Sequence, residues 1–156
     1  MEKENFEFIK RILGRAYRIN ELIGENMQEL AKLRMMRDSI KSSLDEKSGS
    51  RQSGNASYVK LAEKIIEYEN KIRQKNADYL DIRIELRRMI DNVDNVNYNL
   101  ILKKRYLQFM TFEKIAVDLN YTDRSIYRLH ERALIAFEKA NQEYIDKLLK
   151  NYGGAI

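Results

Sequence analysis

Thr111-Phe-Glu-Lys-Ile-Ala-Val-Asp-Leu-Asn-Tyr-Thr-Asp-Arg-Ser-Ile-Tyr-Arg-Leu-His-Glu-Arg-Ala-Leu-Ile-Ala-Phe137 carries two helical patterns separated by a short interruption. In the first, Thr111 is placed to cap a helix whose inner face is Ile115, Ala116 and Leu119. Asn120-Tyr121 makes the turn. Thr122 caps again, and from Asp123 onward Ile126, Leu129, Ala133 and Phe137 recur at helical spacing as a buried stripe. A shorter helix, Leu100-Ile-Leu-Lys-Lys-Arg-Tyr106, is expected just before the pair.

Two helices that cross closely need a small residue at the crossing, which Ala116 supplies. The second helix then projects Asp123, Arg124, Ser125, Tyr127, Arg128, Glu131 and Arg132 outward. This is the pattern of a helix-turn-helix, whose second helix enters the major groove of double-stranded DNA with its N-terminal residues nearest the bases. Asp123, Arg124, Ser125, Tyr127 and Arg128 are the candidate base readers, since arginine bonds guanine bidentately. Lys103, Lys104, Arg105, Thr111, Lys114, Thr122 and Arg132 suit phosphates, which position a protein without reading sequence.

N-terminal to this stretch the chain reads as long helix. From Tyr58 the apolar residues keep a seven-residue repeat: Tyr58, Ile65, Ile72, Tyr79, Leu86 and Val93 in one column, Leu61, Tyr68, Lys75, Ile82, Met89 and Val96 in the other. Lys75 is the one misfit. Such a repeat is the signature of a coiled coil. The first segment shows a looser helical spacing through Phe6, Ile9, Leu13, Ala16, Ile23, Met27, Leu30, Leu33, Met36, Ile40 and Leu44, interrupted by Gly14 and Gly24. Between them the polar Gly/Ser-rich run 48–57 predicts a loop. Two helices of similar length on either side of it suggest an antiparallel hairpin; a homodimer through 58–96 is the competing arrangement. Asp91-Asn-Val-Asp-Asn-Val-Asn97 predicts a hinge. The expected fold is therefore all-α: a helical hairpin or coiled coil over 1–97, a helix-turn-helix domain over 98–140, and a helical extension and tail over 141–156.

Composition agrees with this reading. Proline and tryptophan are absent, glycine numbers six, and 34% of the 156 residues are charged, which favours long unbroken helices. With no cysteine a thiolate metal site is excluded, a single histidine argues against a histidine site, and no cofactor is expected. The net charge of +5 is unevenly spread: residues 1–99 are nearly balanced, while residues 100–140 carry eight basic and five acidic groups. No run of 18 apolar residues and no leader pattern occurs, so a soluble, cytoplasmic protein with no membrane partner is expected.

Residues 111–134, as Thr-Phe-Glu-x-Ile-Ala-x-x-Leu-x-Tyr-Thr-x-x-x-Ile-x-x-Leu-x-x-x-Ala-Leu, resemble the fourth region of primary bacterial sigma factors. The Arg105-Tyr106 entry and the Leu129-His-Glu-Arg-Ala-Leu134 exit, behind a long helical segment, resemble more closely the small sigma-like transcription regulators encoded by phages and prophages of Gram-positive bacteria. That resemblance implies binding to an upstream promoter element and contact with RNA polymerase. The residues matching the sigma base-reading positions are Asp123, Arg124, Tyr127 and Arg128, a different set, so the sigma target sequence does not carry over. Nothing in residues 1–97 resembles the segment with which sigma factors open DNA, which points to a regulator.

His130 lies beside the buried stripe and reads as a packing residue. Met35, Met36 and most of the ten tyrosines sit at stripe positions, where core packing is the default; Tyr127 is the one assigned to the DNA face. No glycine-rich phosphate loop, nucleophilic cysteine or paired histidines support an enzyme. A phage packaging protein of the small-terminase kind also joins a helix-turn-helix to an oligomerising coiled coil, but there the DNA-binding unit comes first. A helix-turn-helix used for protein contacts is the other alternative.

Overall fold

The computed structural model describes residues 3–46 and 51–152, and among these it is all-helical. Seven helices follow one another: α1 (Lys3–Leu13), α2 (Arg15–Glu46), α3 (Arg51–Asp91), α4 (Val96–Tyr106), α5 (Phe112–Leu119), α6 (Asp123–Ala140) and α7 (Gln142–Tyr152). They group into two compact units, one of residues 18–80 and one that joins residues 1–17 to 81–156. This differs from the expected division at residue 97, because the contacts of α1 are made with α6.

In the second of these units, α1 is separated from α2 at Gly14, whose N–H donates to the Lys10 carbonyl at 2.8 Å. Ile9, Leu13 and Ala16 are completely buried, as are Leu86 and Ile90 near the end of α3 and Leu134 and Phe137 of α6. The hinge expected over 91–97 is a break at 92–95. Asn95 caps α4 there, its side chain accepting from the Tyr98 N–H at 3.1 Å. Asn99 turns back to cap the preceding helix, donating to the Ile90 carbonyl at 2.9 Å. The buried Asn141 ties three segments together: its amide donates to the Met89 and Phe137 carbonyls at 2.9 Å each, and its oxygen accepts from Asn92 at 2.8 Å. A buried amide with every bond satisfied adds specificity without the penalty of an orphaned polar group.

Between α4 and α5, Phe109 takes a positive φ of 57°, an uncommon conformation for a bulky side chain. Its ring meets Tyr17 edge-on, with centroids 5.5 Å apart. Carbonyls on both sides are held as well, Leu107 by Arg83 at 2.6 Å and Met110 by Arg105 at 2.9 Å.

In the unit of residues 18–80, the α3 seam positions Tyr58, Leu61, Ile65, Tyr68, Ile72, Lys75 and Tyr79 are all buried or half-buried. Farther along, Val96 of the same expected columns is 69% exposed, because α3 has already ended at Asp91. On α2 the covered positions Ile19, Ile23, Asn26, Leu30, Leu33, Arg37, Ile40 and Leu44 follow a seven-residue repeat, with Asn20, Gly24 and Glu29 also partly covered beside it. Met27, Met35 and Met36, expected on the inner stripe, are exposed instead, because Asn26 and Arg37 occupy the seam. Gly24 lies inside α2 without interrupting it. The loop expected over 48–57 is also corrected: α3 begins at Arg51, so 51–57 are helical, while 48–50 lie outside the described residues. Gly54 serves packing there, since a Cβ on it would collide with the Leu44 side chain. Arg34 pairs with Glu69 at 2.9 Å.

Candidate functional site

The local chemistry of residues 111–126 aims one helix outward. Thr111 caps α5 by accepting from the Lys114 N–H. Asn120 ends α5 in the left-handed conformation at φ 57°, which asparagine tolerates better than most residues. The Tyr121 N–H then closes onto the Ala116 carbonyl at 2.8 Å. Thr122 caps α6, accepting from the Ser125 N–H at 3.2 Å. Three residues thus suffice to turn the chain from α5 into α6. Ile101, Ile115, Ala116 and Ile126 form the buried cluster that joins α4, α5 and α6, with Leu119 and Leu129 packed against it. Ala116 is 1% exposed within that cluster.

With Ile126, Ala133, Leu134 and Phe137 buried, the opposite face of α6 is fixed. Asp123, Arg124, Tyr127, Arg128, Glu131 and Arg132 all stand exposed on it. Arg124, Arg128 and Arg132 follow at four-residue intervals and form one row of cations. Ser125 departs from the candidate set: it is half-buried, and its hydroxyl accepts from the Thr122 hydroxyl at 2.8 Å, so both groups serve the helix cap.

The candidate phosphate contacts divide into two groups. Thr111, Lys114, Thr122 and Arg132 are exposed around the α5–α6 turn and α6. Lys103, Lys104 and Arg105 are engaged within the protein. Lys103 pairs with Asp91 at 2.5 Å and Lys104 with Asp118 at 2.8 Å, their side chains 23% and 20% exposed. The Arg105 guanidinium lies 4.5 Å from the centre of the Phe112 ring. The two lysines lock the end of α3 and the side of α5 onto α4, a role that the residues' charge alone did not reveal.

An aromatic cluster lies beside the row of cations, and sequence reasoning missed it. Phe112 contacts Tyr127 with ring centroids 4.7 Å apart and His130 at 4.8 Å. His130 is buried and its Nε2 is hydrogen-bonded to the Tyr106 hydroxyl at 2.9 Å. Burial, with the charges of Arg105 and Lys10, holds its pKa at about 4, so it is neutral near pH 7. Burial likewise pushes the Tyr106 hydroxyl up to about 12. The only signal available in the chain was the recurrence of rings at 106, 112, 127 and 130. Among the described residues, no group of three or more His, Asp or Glu side chains is placed to hold a metal ion. None of the described helices is long and apolar enough to cross a membrane.

The fold defines an all-helical protein that exposes an arginine-bearing helix face. The model of the DUF1492 family, described as proteins of unknown function, matches residues 38–138, well over half of the chain, and the protein belongs to that family. No curated protein and no solved structure matches the chain.

Proposed function

We propose that this protein is a sequence-specific DNA-binding transcription regulator of the sigma region 4-like type, of the kind carried by phages and prophages. In this reading α5 and α6 are a helix-turn-helix, and α6 lies in the major groove of double-stranded DNA. The observation that carries the proposal is the exposed row of Arg124, Arg128 and Arg132 on a helix whose opposite face is buried. Arg124 and Arg128 read bases with Asp123 and Tyr127, whereas Lys114 and Arg132 hold phosphates.

Two pairings support an antiparallel hairpin of α2 and α3: Arg34 with Glu69, and Leu44 against Gly54, the numbers falling on one helix as they rise on the other. The hairpin is then a partner-binding arm for a second copy of the chain or for RNA polymerase, as the sigma-like resemblance implies. The regulator acts in the cytoplasm, where both DNA and polymerase are found.

Selection of bound duplexes from a random pool, at near-physiological salt, tests the proposal. The wild type is expected to enrich a motif. The double variant Arg124→Ala, Arg128→Ala should lose it, at a cost of about 1–3 kcal/mol per bidentate contact. Enrichment of the same motif by wild type and variant would overturn the assignment of base reading to α6.

A further inference from the structure

Side chains of α1, α4, α5 and α6 line a cleft, half open to solvent, with a volume of about 490 Å³. Sites for small organic ligands typically fall at roughly 300–1,000 Å³, with mostly aromatic or aliphatic walls and a few convergent polar groups. The walls here are Phe6 of α1, Phe112 of α5 and Tyr127 of α6, and the hydrogen-bonded Tyr106 and His130 add a polar patch. Tyr127 and Glu131 are exposed at the rim of this open cleft, so a small molecule can enter it without any rearrangement of the helices.

Charge specifies what kind of occupant. Lys10 and Arg105 line the cavity against one carboxylate, Glu131. Arg105 is already placed, its guanidinium carbon over the Phe112 ring and one N–H on the Met110 carbonyl. A guanidinium has five N–H donors, more than that carbonyl takes up. Lys10 stands 5.7 Å from the Phe6 ring centre and is held by Glu7 at 3.0 Å, a pair open to solvent that can be rearranged. Burial is the main cause of the low basicity of His130, and the same two cations add to it.

We infer that this cavity binds a small planar aromatic carboxylate, its ring packed among Phe6, Phe112 and Tyr127 and its carboxylate held by Arg105 and Lys10. Tyr127 also belongs to the face proposed to read DNA, but the ligand site stands without that reading.

Isothermal titration of the full chain with benzoate, 4-hydroxybenzoate and indole-3-acetate tests this, with benzyl alcohol and inorganic phosphate as comparators. At least one carboxylate is expected to bind one-to-one with a Kd at or below about 1 mM. The neutral alcohol and the non-aromatic anion should each bind about tenfold more weakly, having lost either the charge-assisted hydrogen bonds or the ring contacts. Lys10→Gln and Tyr127→Ala, both at solvent-accessible positions, should weaken the carboxylate about tenfold while leaving the melting transition in place. Three results would each overturn the inference: no heat from any of the three carboxylates, equal affinity for benzyl alcohol, or unchanged affinity in both folded variants.

Discussion

His130 shows how position sets the charge of a residue. A histidine in the unfolded chain takes up a proton near pH 6.5, whereas this one waits until about pH 4, because burial and the neighbouring cations oppose a further charge. Between those values the unfolded state binds a proton that the folded state does not. Stability contributed by neutral His130 is therefore complete above pH 6.5 and is lost as the pH falls toward 4, a total of about 3 kcal/mol. Chemical denaturation across that range is expected to give a shallower pH dependence in His130→Gln than in the wild type. Equal slopes would remove His130 as a source of acid sensitivity. The packing role of this histidine was legible in its place beside the apolar stripe of α6. The engagement of Lys103 and Lys104 was not, because their partners Asp91 and Asp118 lie 12 and 14 positions away and only the folded chain brings them together.

At the scale of single helices, local chemistry was most readable where caps and turns dictate it. Thr111 and Thr122 begin α5 and α6 where threonine capping places them, and Asn120 turns the chain between. An L residue with a Cβ and no polar tip is strained in the left-handed conformation, so Asn120→Ala should lower thermal stability by about 1 kcal/mol. Asn120→Gly should be nearly neutral, and equal melting of the two variants would show that the turn carries no backbone strain. Register was harder to read. On α3, counting apolar residues found the seam, since nearly every seam residue there is apolar. On α2, Asn26 and Arg37 occupy covered positions, so apolar counting drifted onto Met27 and Met36, which face solvent. The Gly/Ser-rich start of α3 misled in a different way: residues that commonly make loops are helical here, and Gly54 lies close against Leu44.

At the scale of the molecule, the sequence carried no sign that α1 belongs with α6, because pairing over such a separation leaves no periodicity to read. Asn5 donates to Glu138 at 3.2 Å, and Ile9, Ile12 and Leu13 are buried, each worth about 1.5–3 kcal/mol before the entropy of ordering the helix is subtracted. Deleting residues 1–14 is thus expected to destabilise the unit containing α4–α7 by a few kcal/mol, read as an earlier melting transition by circular dichroism. An unchanged transition would mean that α1 merely decorates that unit. In the proposed DNA-binding role, a few exposed cations carry the electrostatic part. Lys114→Ala and Arg132→Ala should each reduce the slope of log affinity against log salt by about 1 while leaving the selected motif intact. A slope unchanged by either variant would remove these two residues from the phosphate contacts.

The pairing of α1 with α6 also has a consequence for biosynthesis. The ribosome releases α1 early, but the surface that covers it emerges 133 positions later, as the separation of Asn5 and Glu138 measures. At roughly 5–20 residues per second this delay is about 7–27 s. For that interval Ile9, Ile12 and Leu13 lack the cover that α6 gives, so the nascent chain offers a short apolar helix to chaperones until α6 emerges.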